Sequence, residues 1–232
     1  MKSLFPRLRP QPSSMTQKSS KRKVHESSGV LAVFLASLLT SCGGPSGPVA
    51  YYLSHHPDDH KSRPLRHYPV ARQGKLTAWV TSDHVRTPEN WLYAPGDPVP
   101  KYPIVGRIRA ESMPAAVKHD GAFLIVSGYK GPLYDLWEGT TADGRLFTGP
   151  GGWVSVWLEQ KPGVNTWVYS KKKIGGWSGY PVVIGDPAKP EAVVGAMWYR
   201  HNQKQQMGGT TSSRFLKKWL GRLNFSDFVK NN

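Results

Sequence analysis

One cysteine in 232 residues rules out an internal disulfide and any thiolate-rich structural zinc site. Acidic side chains are scarce, 15 against 31 basic ones, for a net charge of +16. A charge of that size points to an anionic partner, either nucleic acid or an anionic surface. Long apolar runs are also missing. The longest, Gly29–Leu39, is too short to cross a bilayer as a helix. Amphipathic helical spacing is absent until Ser212, which excludes an all-α or alternating βα chain.

What is present begins with a basic cluster, Lys18, Lys21, Arg22 and Lys23, followed by that apolar run and then Thr40-Ser41-Cys42. This is the layout of a secretory signal, about as long as such a core should be. Leu39-Thr40-Ser41-Cys42 resembles the lipobox of bacterial lipoproteins, in which cleavage falls before a cysteine that then carries the lipid. The resemblance implies residues 1–41 as signal peptide, lipidation at Cys42 and attachment to a membrane. Gly43 in place of an aspartate implies the outer membrane, facing the periplasm. Removing residues 1–41 takes away seven basic side chains and one acidic one, leaving 24 against 14. Export excludes nucleic acid as the partner of that charge and leaves lipid head groups and wall polymers.

Residues 42–72 read as a tether and an irregular lead-in: a Gly/Pro/Ser linker, then a stretch without period. His55, His56, His60 and His67 with Asp58 and Asp59 fall here, but their spacing fits no structural zinc pattern, so no metal is expected. From Lys75 the chain alternates with period two in short runs: Leu76–Val80, Ile104–Arg109, Gly121–Val126, Trp153–Leu158, Val164–Tyr169, Pro181–Ile184 and Ala192–Tyr199. Turn-formers separate them at Pro95–Pro98, Ala142–Gly144, Gly149–Gly152 and Lys161–Gly163. Twenty prolines and 24 glycines fit such a chain. The pattern predicts an all-β sandwich or barrel. Phe215, Leu216, Trp219, Leu220 and Leu223 predict one carboxy-terminal helix packed by its apolar stripe on the β body.

Three stretches carry candidate chemistry. Gly176-Trp177-Ser178-Gly179-Tyr180-Pro181-Val182-Val183 holds a serine between glycines at a strand start. Glycines permit a tight turn and leave room for a carbonyl beside the backbone amides of Gly176 and Ser178. Thr81-Ser82-Asp83-His84-Val85 puts a histidine just past a strand, suited to a general base. Asp120, directly ahead of the apolar run Gly121–Val126, is an ionisable group at the edge of a core and needs a partner such as an imidazole N–H. Asp135 is a rival acid, although Trp137-Glu138-Gly139 breaks the apolar pattern after it.

In the order His84, Asp120, Ser178, these segments resemble the three signature blocks of trypsin/chymotrypsin-like serine peptidases, over roughly residues 73–223. The order is neither that of subtilisins nor that of α/β-hydrolases, and Tyr180 breaks the Gly-x-Ser-x-Gly elbow of the latter. The resemblance implies two six-stranded β-barrels, here residues 73–140 and 141–207, then a helix and tail over 208–232, with the triad between the barrels. It implies Ser178 as nucleophile, His84 as base, Asp120 as the group that orients His84, an oxyanion hole at Gly176 and Ser178, and no cofactor. The substrate would be a peptide or protein. The family's pocket-floor position falls on Lys172, with Arg200 near the pocket wall, which would favour acidic side chains. Trp177 stands where the family has Asp or Asn, and the bulk of Tyr180 is expected to narrow the cleft. The alternative is an inactive module of the same fold that grips peptide or wall polymer.

Overall fold

The computed structural model describes residues 49–55, 64–85, 90–109, 120–149, 152–161, 165–173, 178–200 and 206–229. Cys42, Gly176, Trp177, His56, His60, Asp58 and Asp59 lie outside the described residues, as does the whole signal segment.

The described chain is mostly β, in two sheets with one α-helix at the carboxy-terminal end. The first sheet contains β1 (Tyr52–His55), β2 (Pro64–His67), β3 (Pro69–Gln73), β4 (Leu76–Ser82), β5 (Trp91–Tyr93), β6 (Pro100–Ile108) and β7 (Gly121–Ser127). Its order is β2-β1-β5-β6-β7-β4-β3. The second contains β8 (Thr141–Phe147), β9 (Trp153–Gln160), β10 (Asn165–Ser170), β11 (Pro181–Asp186), β12 (Lys189–Arg200) and β13 (Met207–Thr211), closed into a barrel in the order β10-β13-β12-β11-β8-β9. Closure leaves such a sheet without an exposed edge along its full length of pairing.

The first sheet is a half-barrel whose edges meet. Its outermost strands, β2 and β3, are separated in the chain by Tyr68 alone, so one bent segment forms both margins. The Tyr68 carbonyl accepts from Val80 N–H at 3.2 Å, tying the bend to β4. Counting β2–β3 as one pass, each sheet is made of six passes ordered second, first, fourth, fifth, sixth, third, then back to the second. The two halves thus repeat one antiparallel topology without a visible repeat in sequence.

Three expectations are corrected. The supposed lead-in supplies β1, β2 and β3: Tyr52 and Ser54 in β1 and Leu65 and His67 in β2 are buried, with less buried residues between them, and Tyr68 and Pro69 are buried where the chain passes into β3. Ala142-Asp143-Gly144, read as a turn, runs inside β8: Gly144 is paired with Val156 and packed on Leu158, which leaves no space for a side chain. The barrel also extends past residue 207 through β13, whose Gly208 and Gly209 pair with β10 and β12.

β4 lies between β3 and β7 and is buried on both faces, so its alternation sorts residues between two cores rather than between core and water. Trp79 joins Tyr52, Leu124 and Tyr129, while Ala78 and Val80 join Phe123, Ile125 and, from the barrel, Val183 and Val193. The helix α1 (Ser213–Leu220) starts at the cap Ser212 and buries Leu216, Trp219 and Leu220 in that shared cluster, where Trp219 lies 5.4 Å from the Phe123 ring. The chain then crosses β6, where Gly106 is needed because a Cβ would collide with the Phe228 carbonyl. Gln73 holds this return, donating to Leu223 O at 2.7 Å and accepting from Phe225 N–H at 2.8 Å.

Candidate active site

β4 and β7 pair in register down to Ser82 opposite Gly121, which brings the residues just beyond them, His84 and Asp120, side by side. The His84 N–H donates to Asp120 Oδ1 at 2.8 Å, and the His84 ring Nδ1 bonds Asp120 Oδ2. One carboxylate therefore fixes both the backbone and the ring. With Nδ1–H as the donor to Asp120, Nε2 is the acceptor nitrogen, and among the described residues it has no hydrogen-bond partner. The imidazole is 45% exposed and Asp120 17%, so the ring is reachable from solvent while its partner is mostly covered. Asp135, the rival acid, is exposed in the segment between the sheets, where its carbonyl accepts from Val193 N–H.

The loop carrying His84 is held by a residue the sequence did not single out. Arg107, on β6, donates from Nη2 to the carbonyls of Ser82 at 2.6 Å, Asp83 at 3.3 Å and Val85 at 2.8 Å. A planar guanidinium can gather several carbonyls in one place, which an ammonium does less well. The Asp83 carboxylate lies between two arginines, accepting from Arg109 Nε at 3.1 Å with Arg107 Nε 3.8 Å away. No local motif marks Arg107, since its role depends on the register of β6 beside β7.

Ser178 is exposed in a turn immediately before β11, and Gly179 follows it with φ of 80°. Two contacts bring this turn to the His84 loop. Met197 O accepts both from Gly179 N–H at 2.7 Å and from Ser82 Oγ at 2.9 Å, so one carbonyl of β12 joins the residue after Ser178 to the residue two before His84. Val85 is buried in the barrel's core cluster and lies where a Cβ on Gly179 would stand. The left-handed backbone and this close approach both require glycine there. Among the described residues no hydrogen bond joins Ser178 to His84; bonds of this kind are often long before substrate binds. A scan against protein-family models finds no match, and a search of the curated proteins finds no relative.

Tyr180 does not narrow a cleft. It is buried in the barrel, with its ring edge-on to Phe147 at 5.1 Å, because β11 begins by turning inward. Lys172 is exposed in the bend after β10, its N–H donating to Ser170 Oγ at 3.1 Å. Arg200 ends β12. The structure thus joins His84 to Asp120 and ties the Ser178 turn to Ser82 and Val85, on either side of His84.

An imidazole–hydroxyl pair lies in the first sheet. Ser54 Oγ and His67 Nε2 are 2.7 Å apart, and His67 Nδ1 donates to Val80 O at 3.3 Å. Both side chains are fully buried, so no substrate reaches them. Burial pushes the His67 pKa down to about 4, the Val80 carbonyl opposing this and the Arg107 charge adding to it. It is a buried, neutral histidine with both ring nitrogens hydrogen-bonded. No group of three potential metal ligands converges among the described residues.

Proposed function

We propose that this chain is a serine endopeptidase of the trypsin/chymotrypsin-like kind, exported and held at the bacterial envelope by lipid on Cys42. The observation that carries the reading is the double grip of Asp120 on His84, with the Ser178 turn pinned to the same loop through Met197 O and Val85. Two six-pass sheets of one topology, meeting where these residues lie, are what the family resemblance calls for.

The chemistry follows from the groups. His84 Nε2 takes the Ser178 hydroxyl proton as Oγ attacks the scissile carbonyl, and Asp120 stabilises the imidazolium that results. The proton then passes to the leaving amine, and water, activated by the same imidazole, releases the acyl group. Backbone amides of Gly176 and Ser178 would take the developing oxyanion; one such donor is worth roughly 3 kcal/mol. No step uses a metal or cofactor.

A fluorophosphonate probe tests this directly. The wild-type chain is expected to label once, at Ser178, and Ser178→Ala to remain unlabelled. Absence of labelling in the wild type across pH 6–9 would refute the peptidase and favour a binding module of the same fold.

A further inference from the structure

The closed barrel has one weak seam. Between β8 and β11 the ladder contains Val182 opposite Leu146 and Val183 opposite Arg145 and goes no further, although β8 reaches back to Thr141 and β11 runs on to Asp186. The β11–β12 ladder carries a register shift at Ile184/Gly185, with Gly185 at φ of 79°. Over this stretch lies a cavity of about 980 Å³, lined by Asp143–Arg145 of β8 and Ile184–Asp186 of β11. None of its lining residues belongs to the candidate triad.

Arg66 enters this cavity from β2. Its guanidinium carbon lies 3.8 Å from the Phe147 ring centroid, 4.5 Å from Tyr51 and 5.4 Å from Trp153. Its Nε is buried without a hydrogen bond, and among the described residues Arg66 makes no ion pair. Burial pulls its pKa below the ordinary guanidinium value, as expected of a charge with rings around it and no counter-ion. A guanidinium with covered faces offers the edge of its fork, which matches a carboxylate in a bidentate way. Around the rim the exposed side chains of Asp143, Asp186 and Glu191 carry the opposite sign, while Arg145, also exposed there, donates from Nη1 to Ser155 Oγ at 2.7 Å.

We propose that this seam binds the carboxy-terminal end of an extended, basic peptide. Arg66 takes the terminal carboxylate, and the basic side chains upstream meet Asp143, Asp186 and Glu191. Capture of a terminal carboxylate by convergent donors is a recurring mode of peptide recognition. Free carboxylate alone would satisfy Arg66 but leave the acidic rim unused.

Calorimetry on the full-length Ser178→Ala chain, which cannot consume the probe, tests this independently of the peptidase reading. The probes are acetyl-Gly-Lys-Lys-Val as the free acid and as the carboxy-terminal amide. The acid is expected to bind at least ten-fold more tightly than the amide, and adding Arg66→Gln to abolish the difference. Equal binding of acid and amide, no binding of either at millimolar concentration, or displacement by an equal concentration of acetate would each overturn the proposal, the last by reducing the seam to a simple anion site.

Discussion

Acidification should destabilise this fold through His67, and the size of the effect can be worked out. In the folded chain the imidazole is fully buried and its pKa is about 4, against about 6.5 for an unfolded histidine. Between those values the unfolded chain binds the proton and the folded chain does not, so stability falls as pH drops through this window. Above 6.5 the contribution is fully present; below 4 nothing more is lost from this group. Integrated from pH 7.5 to 4.5, the loss is about 2.5 kcal/mol. Urea unfolding of the wild type and of His67→Gln at those two pH values, at constant ionic strength, measures it. Glutamine can still reach the Ser54 hydroxyl and the Val80 carbonyl but has no proton to gain. The wild type should lose about 2.5 kcal/mol more than the variant over the interval. Parallel losses in the two proteins would refute the assignment of His67 as a buried neutral base.

Other outcomes follow from the site and its supports. Asp120→Asn should fold normally and cut the rate of fluorophosphonate labelling by about 10⁴-fold, because the amide no longer selects the tautomer that leaves Nε2 free to accept. A drop of less than ten-fold would show that Asp120 does not orient His84. Arg107→Met frees the Ser82, Asp83 and Val85 carbonyls and should slow labelling by roughly 10- to 100-fold, with a flattened pH profile. An unchanged profile in a folded variant would remove Arg107 from the support of the site. Gly106→Ala should destabilise by about 2–4 kcal/mol in urea unfolding, since the added methyl meets the Phe228 backbone rather than a movable side chain. Wild-type stability would mean the carboxy-terminal return is not seated on β6.

Part of the candidate site was legible because its residue types are marked locally. A histidine past a strand, an aspartate before one and a serine between glycines each leave a short signature, and β4 and β7 pair in the register that joins the first two. The carboxy-terminal helix was legible for a similar reason: Leu216, Trp219 and Leu220 recur at the spacing of one helical face. Positions whose role comes from distant partners left no such mark. Arg107 is an unremarkable basic residue until β6 lies beside β7, and Arg66 looks like part of an irregular polar stretch until Phe147 and Trp153 close over it. The strands β1 to β3 escaped notice because proline and charge interrupt them, and their pairing energy comes from partners far along the chain.

Alternation and turn chemistry by themselves determined that this chain is β-rich, with a single helix at its end, because those signals depend on neighbours within a few residues. Only the tertiary structure decided that the strands form two sheets of the same order, that Tyr180 faces inward, and that one carbonyl, Met197 O, unites the serine turn with the histidine loop. Those facts are set by which donors find which acceptors far along the chain, as the Ser82 hydroxyl does with Met197 O, 115 residues on, and no local stretch of sequence encodes a partner so far away.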